Sequence, residues 1–191
     1  MSFPEIIAAL TIASLALAMA APVSAEMARA WRLDGAARAL AMEVHRARME
    51  ALARGRSTGI LFARSPRGGQ WRFHVDTSGD RSITSAAIVA GQDRALGPLV
   101  EMASRHPGVS LGIAAGPPIP RIPPASGVLT FADDPIAFGG SDIFSASPTG
   151  EGSAGTLYLT DGFAMRAIVV SGATGRVRVW RWDRSHGWRL A

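Results

Sequence analysis

Residues 1–26 read MSFPEIIAALTIASLALAMAAPVSAE, and this stretch decides the fold. An uncharged run over residues 6–25 lies between two acids, Glu5 and Glu26. The run has about the 20 residues that an α-helix needs to cross the hydrocarbon core of a bilayer. A carboxylate at the edge of such a helix is costly in lipid, so Glu5 is expected to have a partner or a function. We therefore predict a transmembrane stem over residues 1–25.

Two simple interpretations of this stretch are open. A secretory signal peptide would be cleaved after Ala25, behind a set of small residues. Against it, no basic residue precedes the uncharged run, and an acid does. A plain membrane anchor would keep the run attached, and the arginines that follow it would hold the rest of the chain in the cytoplasm. A basic leader that is removed during maturation would reverse this orientation.

The positions of Glu5 and Pro22 support a third interpretation. Counted from Met1 as the first residue of a mature chain, they fall where type IV pilins and type II secretion pseudopilins carry an acid and a helix-bending proline. Residues 1–5 also resemble the Phe-Thr-Leu-x-Glu start of those proteins. The sequence begins without their basic leader, so we expect either a mature chain or a misassigned start.

This resemblance implies how the N-terminus works. Prepilin peptidase would remove the leader, Met1 would be methylated, and the stem would pack with the stems of other pilins or pseudopilins. In the low dielectric of that bundle, Glu5 would neutralise the amine of Met1 in a neighbouring subunit. Pro22 would remove one helix hydrogen bond and permit a local bend. The protein would be a single-pass protein of the bacterial inner membrane, with its C-terminal domain in the periplasm.

Composition excludes several classes of function. The 191 residues leave room for one ordinary domain after the stem, and the absence of cysteine excludes disulfides, thiolate metal sites and thiol nucleophiles. The formal charge of +5 is modest and does not by itself establish a polyanion partner. The four histidines are scattered without a metal-binding spacing, and no nucleophile elbow or phosphate loop is present. We therefore predict no catalytic residue, metal or cofactor.

The rest of the chain predicts a helix followed by strands. Residues 26–55 form the amphipathic second half of the helix, which ends at Gly55. Its apolar stripe is alanine-rich, so that a flat sheet can approach closely; it comprises Leu33, Ala37, Leu40, Val44, Ala47 and Ala51. Residues 56–191 form a β-rich globular domain. Its predicted strands are 58–63, 70–75, 109–114, 128–131, 136–138, 156–160, 165–171 and 174–182, with a short helix at 95–104 and a proline-rich surface loop at 116–126.

This order of elements predicts an α+β, pilin-like fold, in which a long N-terminal helix packs on an antiparallel sheet. The helix end at Arg54-Gly55 and the segment IVVSGATGRVRV at 168–179 resemble the minor pseudopilins of the GspH/FimT family. The resemblance implies a non-enzymatic structural subunit of a type II secretion pseudopilus or a type IV pilus. Its partners would be other pilins or pseudopilins, the inner membrane and prepilin peptidase.

The C-terminal segment carries a second function class, DNA binding by a minor pilin for natural transformation. Its basic and aromatic residues are Arg176, Arg178, Trp180, Arg181 and Trp182. On a strand, the even-numbered ones share one face, while Val177 and Val179 face the core. Guanidinium groups and indoles suit single-stranded DNA, and the matching Gly-Arg-x-Arg segment contacts DNA in some competence-associated members of the family. Alternatively, the tryptophans cap the core and the arginines guard an exposed sheet edge.

Overall fold

The structure is a computed structural model that describes residues 3–123 and 125–191; within the first helix it describes the side chains of 3–5, 7, 10–11 and from 24 onwards. The helices are α1 (Phe3–Arg54), α2 (Ser85–Val89) and α3 (Met102–Arg105). The strands are β1 (Thr58–Ala63), β2 (Gln70–Asp76), β3 (Asp93–Ala95), β4 (Val100–Glu101), β5 (Ser110–Leu111), β6 (Ile119–Pro120), β7 (Val128–Leu129), β8 (Ile136–Ala137), β9 (Ile143–Ala146), β10 (Gly155–Thr160), β11 (Met165–Val170), β12 (Val177–Asp183) and β13 (Gly187–Leu190).

The first helix, α1, runs through Pro22 without a break and ends at Gly55, as the sequence predicts. Gly55 has a φ of 62°, a left-handed conformation that glycine adopts without a steric penalty. No helix formed by the described residues is both long enough and apolar enough to span a membrane. The membrane-spanning character expected of residues 1–25 therefore stays a prediction.

The strands form two larger sheets and one small pair. The first sheet has the order β3-β2-β1-β9, with β4 also on β2, and the second has the order β13-β12-β11-β10-β5, with β8 also on β10. Strands β6 and β7 pair with each other. Every pairing among these strands is antiparallel. The predicted combination of an N-terminal helix with antiparallel sheets is thus confirmed.

The main hydrophobic core lies between α1 and the two sheets. All six residues of the predicted stripe are completely buried, and they pack with side chains such as Phe62 of β1, Phe144 of β9 and Ile168 of β11. With Ala36 and Ala41, eight positions of α1 between 33 and 51 are buried in this core, and five of the eight are alanine, so the helix axis lies close to the strands. Burial of this face fixes the rotation of α1 about its own axis.

A second hydrophobic cluster lies on the opposite face of the second sheet. It contains Tyr158, Met165 and Ala167 from the sheet and Ile119 and Ile122 from the proline-rich segment. The sequence predicted this segment to be a surface loop, and that prediction is wrong for its two isoleucines. They are buried because the segment is the cover of an apolar sheet face, which would otherwise be exposed to water.

Several other predictions from the sequence differ from the structure. Only Met102–Arg105 of the predicted helix 95–104 is helical, because Gly97 and Pro98 interrupt the helical pattern and β4 follows them. Helix α2 and strands β3, β4, β6, β9 and β13 were not predicted, and the predicted strands 109–114 and 128–131 are reduced to β5 and β7. Strand β12 begins at Val177 and extends to Asp183, and β13 pairs with it to form a C-terminal hairpin.

Candidate functional sites on the first helix and the C-terminal hairpin

The predicted assembly residues lie at the N-terminal end of α1. Met1 is outside the described residues. Glu5 is in the first turn of α1, where its carboxylate lies near the positive end of the helix dipole, and it is exposed. Pro22 lies inside the helix, 17 positions further on. The structure therefore places Glu5 and Pro22 on one continuous helix and does not bring them together.

An outer stripe of large apolar side chains runs along the second half of α1. It comprises Met27, Trp31, Met42, Met49 and Leu52. These residues are separated by 4, 11, 7 and 3 positions, so they share one helix face, opposite the buried stripe. Trp31 is 68% exposed and Met42 is 66% exposed. An exposed apolar surface of this kind is typical of an interaction site. The sequence predicted only the buried stripe on the other side of the helix, which we call the inner stripe.

The tryptophans of the C-terminal hairpin take part in the second hydrophobic cluster. Trp180, Trp182 and Trp188 are half-buried and pack against it. The Trp188 indole N–H donates a 2.7 Å hydrogen bond to the carbonyl oxygen of Pro120, and the rings of Trp182 and Trp188 lie 5.4 Å apart. Val177 and Val179 instead pack against the main core, so the predicted alternation of β12 is observed. The indoles thus hold the proline-rich segment on the sheet.

A groove lies beside these tryptophans. It has a volume of about 720 Å³ and is lined by Arg176, Arg178 and Trp180 on one side and by Ile122 and Pro123 on the other. The Nε atom of Arg178 and the Nε1 atom of Trp180 are buried and have no hydrogen-bond partner within the described parts of the chain. Both donors are enclosed by the protein, so an acceptor oxygen from outside could reach them only after a local rearrangement of the groove.

Arg181 is not part of this groove. It lies directly opposite Arg166 of β11 and Arg189 of β13. Arg166 reaches α1, where its Nε atom lies 2.5 Å from a carboxylate oxygen of Asp34. Side chains that are directly opposite in a sheet share a face. The structure therefore separates Arg181, on the α1 side of the sheet, from Arg176 and Arg178 on the other side.

Arg48 is a structural residue that the sequence analysis missed. Its guanidinium group donates hydrogen bonds to the carbonyl oxygen of Gly150, at 2.6 and 3.2 Å, and to that of Gly175, at 2.7 Å. One helix residue thereby holds both the loop before β10 and the turn between β11 and β12. No sequence signal identifies this link, because the partners are more than 100 positions apart.

A buried polar cluster lies at the far end of the first sheet. Asp76 of β2 and Asp93 of β3 are directly opposite each other, and both are buried. Burial opposes ionisation of Asp76, but hydrogen bonds from the Gly79 N–H, the Ser78 hydroxyl and the Arg81 N–H hold its pKa below the ordinary value. Burial raises the pKa of Asp93, which receives only a 3.3 Å bond from the Thr84 N–H.

This cluster does not have the features of a metal or catalytic site. Asp76 closes the turn that follows β2, and the nearby Asp80 carboxylate accepts from the Ser82 N–H. No group of three or more His, Asp or Glu side chains in the described ranges is placed to hold a metal ion. The two aspartates are instead a buried pair with opposite pKa shifts, which bears on stability.

Comparison with known proteins gives one match. A family model described as type II transport protein GspH matches residues 36–175. No match is found among curated proteins or among solved structures. The matched range begins within the buried stripe of α1 and ends at Gly175, so it includes Arg48 together with both of its carbonyl partners.

Proposed function

Because the chain belongs to the GspH family of type II transport proteins, we propose that it is a minor pseudopilin that assembles through α1 into a type II secretion pseudopilus or a type IV pilus. In this role it supports protein secretion as a structural subunit and catalyses no reaction. Its partners are other pilins or pseudopilins, whose helices pack against α1. The observation that carries this proposal is the outer stripe of α1.

The outer stripe gives α1 a second apolar surface. The inner stripe is buried in the core of this chain, whereas the side chains of Met27, Trp31 and Met42 have at least 49% of their surface exposed. Phe3, Ile7 and Leu10 near the N-terminus are exposed as well. Residues 3–25 alone extend for about 34 Å at a rise of ~1.5 Å per residue. A helix that exposes apolar residues along its length is suited to a bundle with other helices.

The N-terminal residues have specific roles in the proposal. The uncharged run over residues 6–25 holds the subunit in the inner membrane before assembly, with the domain in the periplasm. Prepilin peptidase exposes Met1, which is then methylated. Glu5 neutralises the amine of Met1 in an adjacent subunit and so fixes the register between the two stems, because opposite charges attract strongly in a medium of low dielectric. Pro22 allows the stem to bend as it leaves the membrane.

Replacement of Glu5 tests this proposal. The Glu5→Ala variant is expected to reach the membrane fraction with a folded domain but to be absent from sheared or cross-linked pseudopilus material. Glu26→Ala, which removes the acid at the other end of the uncharged run, is the matched control and is expected to assemble. Normal assembly of Glu5→Ala would contradict the proposed role of the carboxylate.

The groove beside β12 supports a second candidate function, the binding of DNA by a minor pilin for natural transformation. Arg176, which is exposed, and Arg178 line the groove, and guanidinium groups are suited to phosphate oxygens. Trp180 and Trp182 share one face and both pack against the second hydrophobic cluster. Trp180 is the one that lines the groove, so any stacking of bases in the groove would fall to its exposed part.

Binding of the full chain to short single-stranded DNA over a series of salt concentrations tests this second function. Affinity should fall steeply with salt and disappear in the double variant Arg176→Gln/Arg178→Gln, because phosphate contacts release counterions. Arg64→Gln/Arg184→Gln, at two exposed arginines outside the groove, is the control for net charge. The absence of binding at low salt would leave the structural role alone.

A further inference from the structure

Three arginines form a row across the second sheet, which we call the arginine row. Arg166 of β11 lies directly opposite Arg181 of β12, and Arg181 lies directly opposite Arg189 of β13. Directly opposite residues of antiparallel strands have Cβ atoms about 5 Å apart. The row therefore begins under α1, at Arg166, and ends at the outer edge of the sheet, at Arg189.

In the part of the chain that the structure describes, acidic partners do not balance the positive charge of the arginine row. Arg166 is buried and pairs with Asp34 of α1. Arg181 and Arg189 are exposed, and neither forms an ion pair with any residue that the structure describes. Like charges directly opposite each other destabilise a sheet. A row of this kind is therefore expected where an external anion compensates the two outer guanidinium groups.

Asp183, the acid nearest to Arg181 along β12, already accepts hydrogen bonds from the turn that follows the strand. Asp183 lies two positions after Arg181 and so faces the same side of β12. Its Oδ1 atom accepts hydrogen bonds from the backbone N–H groups of Ser185 and His186, at 2.8 and 3.0 Å, and it lies 3.1 Å from the Nδ1 atom of His186. These contacts close the turn between β12 and β13. Asp183 thus serves the turn and not the arginines.

We propose that Arg181 and Arg189 bind carboxylates of an acidic segment on a neighbouring pilin-like subunit. This inference rests on the proposed function, since it names a contact of the assembled subunit. At the buried end of the row, Arg166 already binds a carboxylate of this chain, that of Asp34. A guanidinium group presents a planar fork that matches the two oxygens of a carboxylate, and the two outer arginines are directly opposite each other in the sheet.

The surroundings of the row favour carboxylates over nucleic acid. The other residues of β12 on this face include Val177 and Val179, which are covered by the main core, and the tryptophans of the hairpin lie on the opposite face. The row itself contains no aromatic residue. Exposed Phe163, in the turn between β10 and β11, lies outside the row and contacts Arg29 of α1, whose Cζ atom is 5.2 Å from the centre of the Phe163 ring. Single-strand binding depends on aromatic rings placed along the basic groups. The arginine row and the groove of Arg178 are thus two sites on opposite faces of one sheet.

Binding of the full chain in detergent micelles to an oligo-glutamate peptide and to an oligo-thymidylate of equal charge tests the inference. The double variant Arg181→Gln/Arg189→Gln is expected to bind the oligo-glutamate about tenfold more weakly than the native chain. Arg64→Gln/Arg184→Gln changes the net charge equally at two exposed arginines and is expected to bind it almost unchanged. The double variant of the row should unfold at the same or a higher temperature, because repulsion is removed.

Two results would overturn the inference. One is an equal loss of oligo-glutamate binding in the two double variants, which would show that only net charge matters. The other is tighter row-dependent binding of the oligo-thymidylate than of the oligo-glutamate. A chain that binds oligo-glutamate through the row but never enters a pseudopilus would contradict the proposed function alone, so the two failures are distinguishable.

Discussion

The guanidinium group of Arg48 occupies the space that a side chain at Gly175 would fill. It donates a 2.7 Å hydrogen bond to the carbonyl oxygen of Gly175, and a Cβ atom built on that glycine would lie 1.9 Å from the Arg48 Cζ atom. Gly175 also has a φ of 58°, in the left-handed region. The glycine of the Gly-Arg-x-Arg segment is therefore required by a residue of α1, whatever the arginines after it bind.

Gly175→Ala should strongly destabilise the domain. The alanine has to enter a left-handed conformation and displace Arg48 from two carbonyl groups, and together these effects should cost about 2–4 kcal/mol. Urea denaturation measures the loss. Gly162→Ala is the matched control, because Gly162 also has a positive φ, of 92°, but has open space around its Cα atom. It should cost only about 1–2 kcal/mol, and equal losses in the two variants would contradict the role of Arg48.

Asp34→Asn should destabilise the domain by leaving a buried cation without its partner. Arg166 is 5% exposed, whereas the Asp34 side chain is 30% exposed, so solvent reduces the penalty to about 2–3 kcal/mol. Thermal unfolding measures the effect. Glu101→Gln, which breaks the 2.9 Å pair with the largely exposed Arg67, should destabilise the domain much less, because solvent screens that pair. A loss in Asp34→Asn no larger than in this control would show that Arg166 is satisfied in another way.

The difference in stability between Asp93→Asn and the native chain should favour the variant more at neutral pH than at acidic pH. Burial raises the pKa of Asp93 in the folded state. Its contribution to stability is therefore present below the unfolded pKa and is lost as the pH rises through the folded pKa. The stability of the variant relative to the native chain should therefore rise between about pH 4 and pH 7. Chemical denaturation over this pH range measures the difference, and a constant difference would contradict the assignment.

Asp76 and His74 respond to pH in the opposite sense. The pKa of Asp76 is lowered, so its contribution is present above the unfolded pKa and is lost as the pH falls through the folded pKa. Burial lowers the pKa of His74, so protonation near or below its ordinary pKa also weakens the folded state. Asp76→Asn should therefore destabilise the domain at neutral pH, where Asp93→Asn does not.

The sequence predicts the parts of the fold that depend on local periodicity. The inner stripe from Leu33 to Ala51 has a helical period and is buried, and β1 has the predicted bounds. Strand β13 was missed because Gly187 and the charged Arg189 weaken its pattern. The covering role of Ile119 and Ile122 was missed because it depends on an apolar sheet face that is remote in sequence.

The candidate sites likewise contain some features that local periodicity predicts and others that it does not. The two-residue period of β12 correctly places Val177 and Val179 in the main core and Trp180 on the other side. The register that brings Arg166, Arg181 and Arg189 into one row depends on three strands at once, and the bond from Arg48 to Gly175 spans 127 positions. No local pattern contains such long-range pairings, because they arise only when the sheet and α1 pack together.

Photocrosslinking from the outer stripe tests most directly whether α1 packs against other subunits. A photoreactive amino acid at Met42 of the full chain, in membranes that contain the assembled secretion or pilus machinery, should yield covalent products with another pilin-like subunit. The cross-linked peptide should come from that partner's N-terminal helix. The same amino acid at Val89, which is 88% exposed on α2, should not give this product. The absence of a cross-linked product from position 42, or an equal yield of it from position 89, would contradict assembly through α1.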